Sequence, residues 1–409
     1  MNQPPIGRNR DFLLLQAGQL LSRAGSGMSG IAFPLLVLGI THSPVQAGLV
    51  QAARFVPFVA FSTLAGVAAD RLDRRRMMIA SDAVAMVALG SIVVALWLGQ
   101  PAFWHMLLVG LIDGATAVAF AAAYSGAFRS IVPRQQLPAA ASFEQTRASM
   151  VRLGAPPLGG LFYSIARTLP FVADVASYGA STVSVLLIRT PFQEPRTETR
   201  ATVRQDLAEG LRFLWNVPFL RISALMTAAS NFTFSGGQFA VIVLARREGF
   251  SSGAIGLLVA MVGITTLAGS LASPILRRLL SLRVILLSEF WASFGILAFV
   301  LWPHAIVLAA ALAAQAFCFP NTDAALASYR YAITPDRLTA RVTSAASNIA
   351  VAAMPLGPLV AGLLLGSFPI RTAIFVLSAA SMIAAIVGTA SRSIRHLPAL
   401  SEIVSEETV

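Results

Sequence analysis

The chain reads as an all-α membrane protein: twelve transmembrane helices in two six-helix, pseudo-symmetric halves, with both termini in the cytoplasm. Three observations predict this class. Of 409 residues, 56% are hydrophobic and 12% charged, far from ordinary globular usage. Apolar runs of about 20 residues recur along the chain, the length that carries an α-helix across roughly 30 Å of hydrocarbon, and they lack the alternation of barrel strands. The second half of the sequence also repeats features of the first at an offset of 202–203 residues.

Residues 1–11 are short and polar, without a cleavable signal, and lead into a first span at 12–40. Spans at 46–69, 77–98, 103–127, 139–165 and 170–189 complete a first half over residues 1–190. Residues 191–217 form the one long polar segment and read as a cytoplasmic linker. Its start, from Pro191 to Thr202, is rich in Pro, Thr and charge. Its end is amphipathic: Val203, Leu207, Leu211 and Leu214 share a face that Arg204, Asp206, Glu209 and Arg212 avoid, which predicts a helix lying on the cytoplasmic leaflet. The second half covers residues 218–391, with spans at 219–245, 253–276, 283–302, 304–328, 340–366 and 371–391, and residues 392–409 form a cytoplasmic tail.

The net charge of +12 is topological and is not a nucleic-acid footprint. All 30 basic residues are Arg; this spacing of spans places 22 on the cytoplasmic side, leaves Arg167, Arg246, Arg247 and Arg371 outside, and puts Arg23, Arg54, Arg147 and Arg152 within spans. That imbalance is a positive-inside pattern, and Trp97, Trp104 and Trp302 then fall together at the outer interface. Exclusive use of Arg points to a GC-rich bacterial genome, hence to the inner membrane of a bacterium. The lone Cys318 excludes a disulfide within the chain.

The repeat is visible at three anchors. Thr63-Leu64-Ala65-Gly66 recurs as Thr266-Leu267-Ala268-Gly269, Ile131-Val132-Pro133 aligns with Ile333-Thr334-Pro335, and Pro156, Gly160 and Leu161 align with Pro358, Gly362 and Leu363. It fails at Asp70 and Arg71, which correspond to Ser273 and Pro274. The charged loop therefore exists once and is not a generic way of ending a helix.

That loop, Gly66-Val-Ala-Ala-Asp70-Arg71-Leu-Asp73-Arg74-Arg75-Arg76, resembles the loop between helices two and three of major facilitator transporters, with Asp73 where the family has Gly. Gln19-Leu-Leu-Ser22-Arg23-Ala-Gly25 and Arg54-Phe-Val-Pro57 resemble the branch containing macrolide-efflux and siderophore-export permeases. The resemblance implies the major facilitator fold, alternating access, and a latch made by Gly66, Asp70, Arg71, Arg74 and Arg75 with the start of helix eleven near Arg341. A helix N-terminus carries roughly +0.5 charge, which suits Asp70. Gly154-Ala155-Pro156-Pro157-Leu158-Gly159-Gly160 resembles the family's antiporter signature, with Ala155 in place of its first Gly. Gly154, Pro156, Gly159 and Gly160 match, and the match implies export.

Ionisable groups inside spans are the sharpest leads, since a mid-bilayer charge costs about 2.5–3.5 kcal/mol even on lenient scales. Gln16, Gln19, Arg23, Ser26 and Gly30 fall within an arc of about 80° on the first span. Arg23 and Asp113 sit at similar depth and are expected to pair. Glu144, Arg147 and Arg152 share a face of the fifth span, with Glu144 and Arg147 an i,i+3 pair. Asp113 and Glu144 are the candidate proton carriers, although the family's helix-four Arg motif has no match. Asn231, Gln238, Asn321, Asp323 and Asn348 are candidates to complete the substrate cavity. Asp82, Asp174 and Glu289 lie near span ends and read as structural. His42, His105, His304 and His396 lack metal-ligand spacing and no Walker loop is present, so no metal, cofactor or ATP is expected.

The function these readings converge on is a monomeric secondary transporter. It exports a hydrophobic or amphiphilic small molecule, such as an antibiotic, a siderophore or another secondary metabolite, in exchange for protons. The alternatives are an importer or uniporter, a lysophospholipid flippase of the same fold, or a non-transporting membrane sensor.

Overall fold

The computed structural model describes residues 6–193 and 203–395, and among them there are helices and no strands. The first-half helices are α1 (Arg10–Thr41), α2 (Pro44–Arg71), α3 (Arg74–Trp97), α4 (Phe103–Ile131), α5 (Leu137–Ile165) and α6 (Leu169–Leu187). They are followed by α7 (Val203–Asn216), α8 (Pro218–Arg247), α9 (Ser252–Leu279), α10 (Leu282–Ala292), α11 (Leu297–Leu301) and α12 (Ala305–Ile333). The chain continues through α13 (Asp336–Ala352), α14 (Leu356–Ser367), α15 (Ile370–Ala390) and the short α16 (Arg392–Arg395). Among the described residues, eleven segments are long and apolar enough to cross a membrane, counting α10–α11 and α13–α14 as one each. The 29-residue α5 is not among them, because its Gly, Pro, Ser and charged residues dilute its apolar ones.

Local signals explain where the helices begin. Asn9 caps α1 by accepting from the backbone N–H groups of Asp11 and Phe12, each at 3.1 Å. Ser43 caps α2, with Pro44 at the first position where no N–H is needed. Asp73 caps α3 through Arg76 N at 2.9 Å. α1 ends at His42, whose left-handed φ of 53° closes the helix onto Leu38 O.

The chain forms two compact units, Met1–Arg196 with Ala245–Ala260, and Thr197–Leu244 with Met261–Val409. The stretch 245–260 falls in the first unit and α7 in the second. In the first unit, helices approach through small residues, as expected where lipid supplies no hydrophobic drive between helices. Gly18, Ser22, Gly25 and Ser29 of α1 face α6, where Ser177, Ser181 and Ser184 are buried. A Cβ on Gly18 would stand 2.8 Å from that of Ser184, and one on Gly25 2.8 Å from that of Ser177. Gly114 of α4 admits the backbone of α2, where a Cβ would come 2.9 Å from Arg54 C.

In the second unit, the expected single span 340–366 is broken between α13 and α14. Pro355 disfavours helical backbone at Met354, and Pro358 offers no N–H to Met354 O. α8 repairs the break: Asn231 Nδ2 donates to Ala350 O (2.9 Å) and Ser235 Oγ to Met354 O (3.0 Å). α7 packs on α13 through buried Leu214 and through Gly210, where a Cβ would lie 2.6 Å from Arg341 C. Leu211, expected on the same face as Leu214, is exposed at 43%. The side chains of Val203, Arg204, Asp206 and Leu207, like linker residues 194–202 and tail residues 396–409, lie outside the described residues.

Candidate functional site

The polar stripe of α1 meets two side-chain networks in the first unit. The first joins α1, α4 and α5. Gln16 Nε2 donates to Tyr124 OH (3.2 Å), and that hydroxyl donates to Glu144 Oε1 (2.5 Å). Glu144 pairs with Arg147 at 3.5 Å, the expected i,i+3 contact. Arg147 lies over the Tyr124 ring at 5.8 Å, and its Nε and Nη1 are buried without a hydrogen-bond partner. Beside them, a cleft of about 440 Å³ between α1 and α5 is walled by Leu13, Leu20, Phe143 and Met150, with Gln16 and Arg147 at its polar edge. The arrangement sets apolar walls beside a guanidinium whose hydrogen bonding is incomplete.

The second network joins α1, α2, α4 and α6. Arg54 Nε and Nη2 both donate to Asp113 Oδ2, at 3.0 and 2.8 Å, and Tyr178 OH donates to Asp113 Oδ1 at 3.0 Å. Tyr178 OH also contacts Ser26 Oγ at 3.1 Å, and Ser29 Oγ donates to Asp174 Oδ2 at 2.6 Å. Arg54 is further held 4.7 Å over the Phe33 ring. Asp113 therefore pairs with Arg54 and not with Arg23, as the sequence had led us to expect. Gly110 and Gly114 bring the α2 backbone against α4 on both sides of Asp113, so the Arg54 side chain reaches it directly. Arg23 is exposed and lines a small cavity with Gln19 and Ser26, within electrostatic range of Tyr124, Tyr178, Glu144 and Arg147. Arg152 is exposed on α5.

Asp82, Asp174 and Glu289 are not at wet span ends: they are 2%, 0% and 3% exposed. Neighbouring helices cover them. Asp174 accepts from Ser29 and Ser177, and Glu289 accepts from Ser230.

At the loop, Asp73 has φ −63°, ordinary for any residue, so the Gly found there in the family is not required by the backbone. Arg74 Nη1 donates to Phe192 O (2.9 Å) and pairs with Asp70 at 3.6 Å. Arg75 Nη2 donates to Ile188 O (2.6 Å) and Thr190 O (3.2 Å), and its guanidinium lies 4.9 Å over the Phe192 ring. Both arginines tie the loop to the carbonyls just beyond α6, where a helix C-terminus attracts cations. Arg71 is exposed. In the second unit, Arg341 forms an ion pair with Glu209 of α7, and Arg337 joins the same carboxylate at 3.3 Å.

The remaining second-unit candidates are dispersed. Asn321 Nδ2 donates to Gly269 O (3.0 Å), Gln238 is half-buried, and Asp323 and Asn348 are exposed. Of these, Asn231 and Asn321 complete backbone hydrogen bonding between helices.

A family model described as transmembrane secretion effector matches residues 5–407. The chain belongs to this family of major facilitator transporters. Among relatives, it is 24% identical to the multidrug efflux pump Tap of Mycolicibacterium fortuitum over 405 residues, 96% of this chain and 98% of that protein. The chain spans about half the length of the Mycobacterium tuberculosis Tap pump that it matches at 29% identity, with 52% of this chain and 53% of that protein aligned. Similarity to the enterobactin exporter EntS of Shigella dysenteriae is 25% over 266 residues, 64% of this chain and 62% of that protein. The fold matches an inward-facing bacterial homologue of the iron transporter ferroportin, with TM-score 0.73 and 16% identity over 92% of this chain and 97% of that one. The nucleoside transporter NupG matches with TM-score 0.70 and 13% identity over 95% and 100%. These likenesses show the fold alone. Family and apolar helices together make this a multi-pass protein of the bacterial inner membrane.

The antiporter-like signature of this chain is a packing surface. A Cβ on Gly159 would lie 2.7 Å from Met28 Cα, and one on Gly160 3.1 Å from Gly256 Cα. Ala155, where the family has Gly, fits because it faces Gly27. Gly154 has open space, and Pro156 O approaches Gly256. Sequence reasoning missed Arg54, Tyr124 and Tyr178 as partners of the in-span carboxylates. The signal present but unread was Gly110-x-x-x-Gly114 around Asp113, a small-residue spacing that marks close helix approach.

Proposed function

We propose that this transporter exports hydrophobic or amphiphilic small molecules by alternating access, in exchange for protons. The observation carrying the proposal is the α1–α5 cleft, where apolar walls meet Arg147, whose Nε and Nη1 have no hydrogen-bond partner. An amphiphile with a carbonyl or hydroxyl oxygen satisfies those donors while its body covers Leu13, Leu20, Phe143 and Met150. Relatives named as multidrug and enterobactin exporters support the direction of transport. Glu144 is the favoured proton carrier. Its side chain is 31% exposed against 6% for Asp113, so water reaches it, and its Arg147 contact is a single long one. Asp113 is saturated by three hydrogen bonds and holds the helices together. Asp70 and Arg71 serve the latch of the cycle.

Inside-out vesicles with an acid interior test the reading. Adding hydrophobic antibiotics or siderophore-like compounds is expected to release protons from vesicles holding wild-type protein and not from those holding Glu144→Gln. Substrate movement without any proton flux removes the exchange and leaves a facilitator.

A further inference from the structure

Between α3 and α4 runs a groove of about 700 Å³ walled by Met77, Ala80, Val84, Ile112, Ala115 and Ala119. Val84 is 50% exposed on its flank, the side where an apolar surface faces lipid. On the inner side lies a cavity of about 30 Å³ whose wall includes Gln19, Arg23, Asp82 and Tyr178. Ser81 and Thr116 line both spaces, which places the two side by side.

Two acceptors on the wall of the inner cavity go without a hydrogen bond. Gln19 and Asp82 are each 2% exposed, and Gln19 Oε1 and Asp82 Oδ2 are buried without any partner. The groups that do contact Asp82 are the neutral hydroxyls of Ser181 and Thr182, so its carboxylate has no counter-ion. Arg23, on the same wall, lies within electrostatic range of Glu144, Tyr124 and Tyr178. Leaving a buried acceptor unsatisfied costs about 1–3 kcal/mol, more when it is charged. A ligand that brings a positive charge and several N–H donors removes that cost.

We propose that these two spaces form one binding site for a lipophilic primary amine drawn from the bilayer, its chain in the α3–α4 groove and its ammonium on Asp82 and Gln19. The inner space, about 30 Å³, is large enough for a water and for an –NH₃⁺ group. Its three donors cover both orphan acceptors. A trimethylammonium head is too bulky and has no donor, an alcohol brings one donor and no charge, and a fatty carboxylate places a like charge beside Asp82. The site stands apart from the α1–α5 cleft and does not depend on export.

The test uses dodecylamine carrying a diazirine in its chain and the full-length protein in phosphatidylcholine nanodiscs. Light is expected to label peptides of α3 around 77–84 and of α4 around 112–119. Asp82→Asn, isosteric and able to keep its hydroxyl partners, is expected to lower labelling about tenfold at unchanged thermal stability. Ala115→Phe, which fills the groove and leaves the acid in place, is expected to lower it as well. Unlabelled dodecylamine is expected to compete at least about tenfold better than dodecanol or dodecyltrimethylammonium. If Asp82→Asn fails to insert, Gln19→Leu carries the same expectation. Labelling that is unchanged in these variants, lies on other helices, or yields equally to dodecanol overturns the proposal, leaving a groove filled by any acyl chain and a cavity filled by water. No transport enters this readout, so a failed export assay leaves the site intact, and a failed label leaves export intact.

Discussion

Arg54 and Asp113 show how much a single contact decides. Both side chains are nearly covered, at 12% and 6% exposure, and the carboxylate receives two N–H groups from one guanidinium. Removing one partner of such a pair strands the other charge, typically costing 3–5 kcal/mol, roughly, whereas removing both costs far less. Arg54→Ala and Asp113→Ala are each expected to lower the melting temperature of the purified protein sharply, and the double variant to recover much of the loss. Additive losses in that cycle would mean that the two charges do not depend on each other. Arg23→Ala combined with Asp113→Ala is expected to be additive, because Asp113 is already saturated. Counting residues along a helix placed Arg23 and Asp113 at equal depth. It had no means of showing that Arg54, one helix over, is closer.

At the scale of elements, prolines create needs that neighbouring helices answer. The α13–α14 break leaves Ala350 O and Met354 O without helical donors, and Asn231 and Ser235, one turn apart on α8, supply them. Asn231→Ala is expected to destabilise the protein by about 1–3 kcal/mol, read as a lower melting temperature, by orphaning a carbonyl. Asn231→Asp, which cannot donate, is expected to be at least as damaging. The α7 helix depends on a different device. Gly210 lets its backbone approach Arg341, while Glu209 holds Arg337 and Arg341. Gly210→Val is expected to release α7, measured as faster amide exchange in residues 208–216 and at the start of α13. The amphipathic pattern predicted the helix. Its partner became visible only once α13 was in place, since Leu211 and Leu214 are both apolar and only Leu214 is covered.

For the whole molecule, the proposed export cycle requires movement between states, and the charged loop belongs to that scale. Arg74 and Arg75 anchor the loop to carbonyls beyond α6, which makes it a stiff extension of the first unit. Asp70→Asn is expected to abolish efflux while insertion, expression and melting temperature stay near wild type. Normal efflux from a correctly inserted Asp70→Asn protein would remove the latch from the mechanism.

The order of the spans, most of their ends to within a few residues, the family and the i,i+3 pair of Glu144 with Arg147 were legible in the linear chain. These are properties of apolar run length, local charge and short spacing, which act within one helix and need no neighbour. Which carboxylate meets which arginine, which donors reach the carbonyls freed between α13 and α14, and why Asp82 has no counter-ion among the described residues were decided by tertiary structure. Each depends on how closely two helix backbones approach. That distance is set by glycines and serines such as Gly114, Gly25 and Ser177, whose partners lie tens of residues away in sequence.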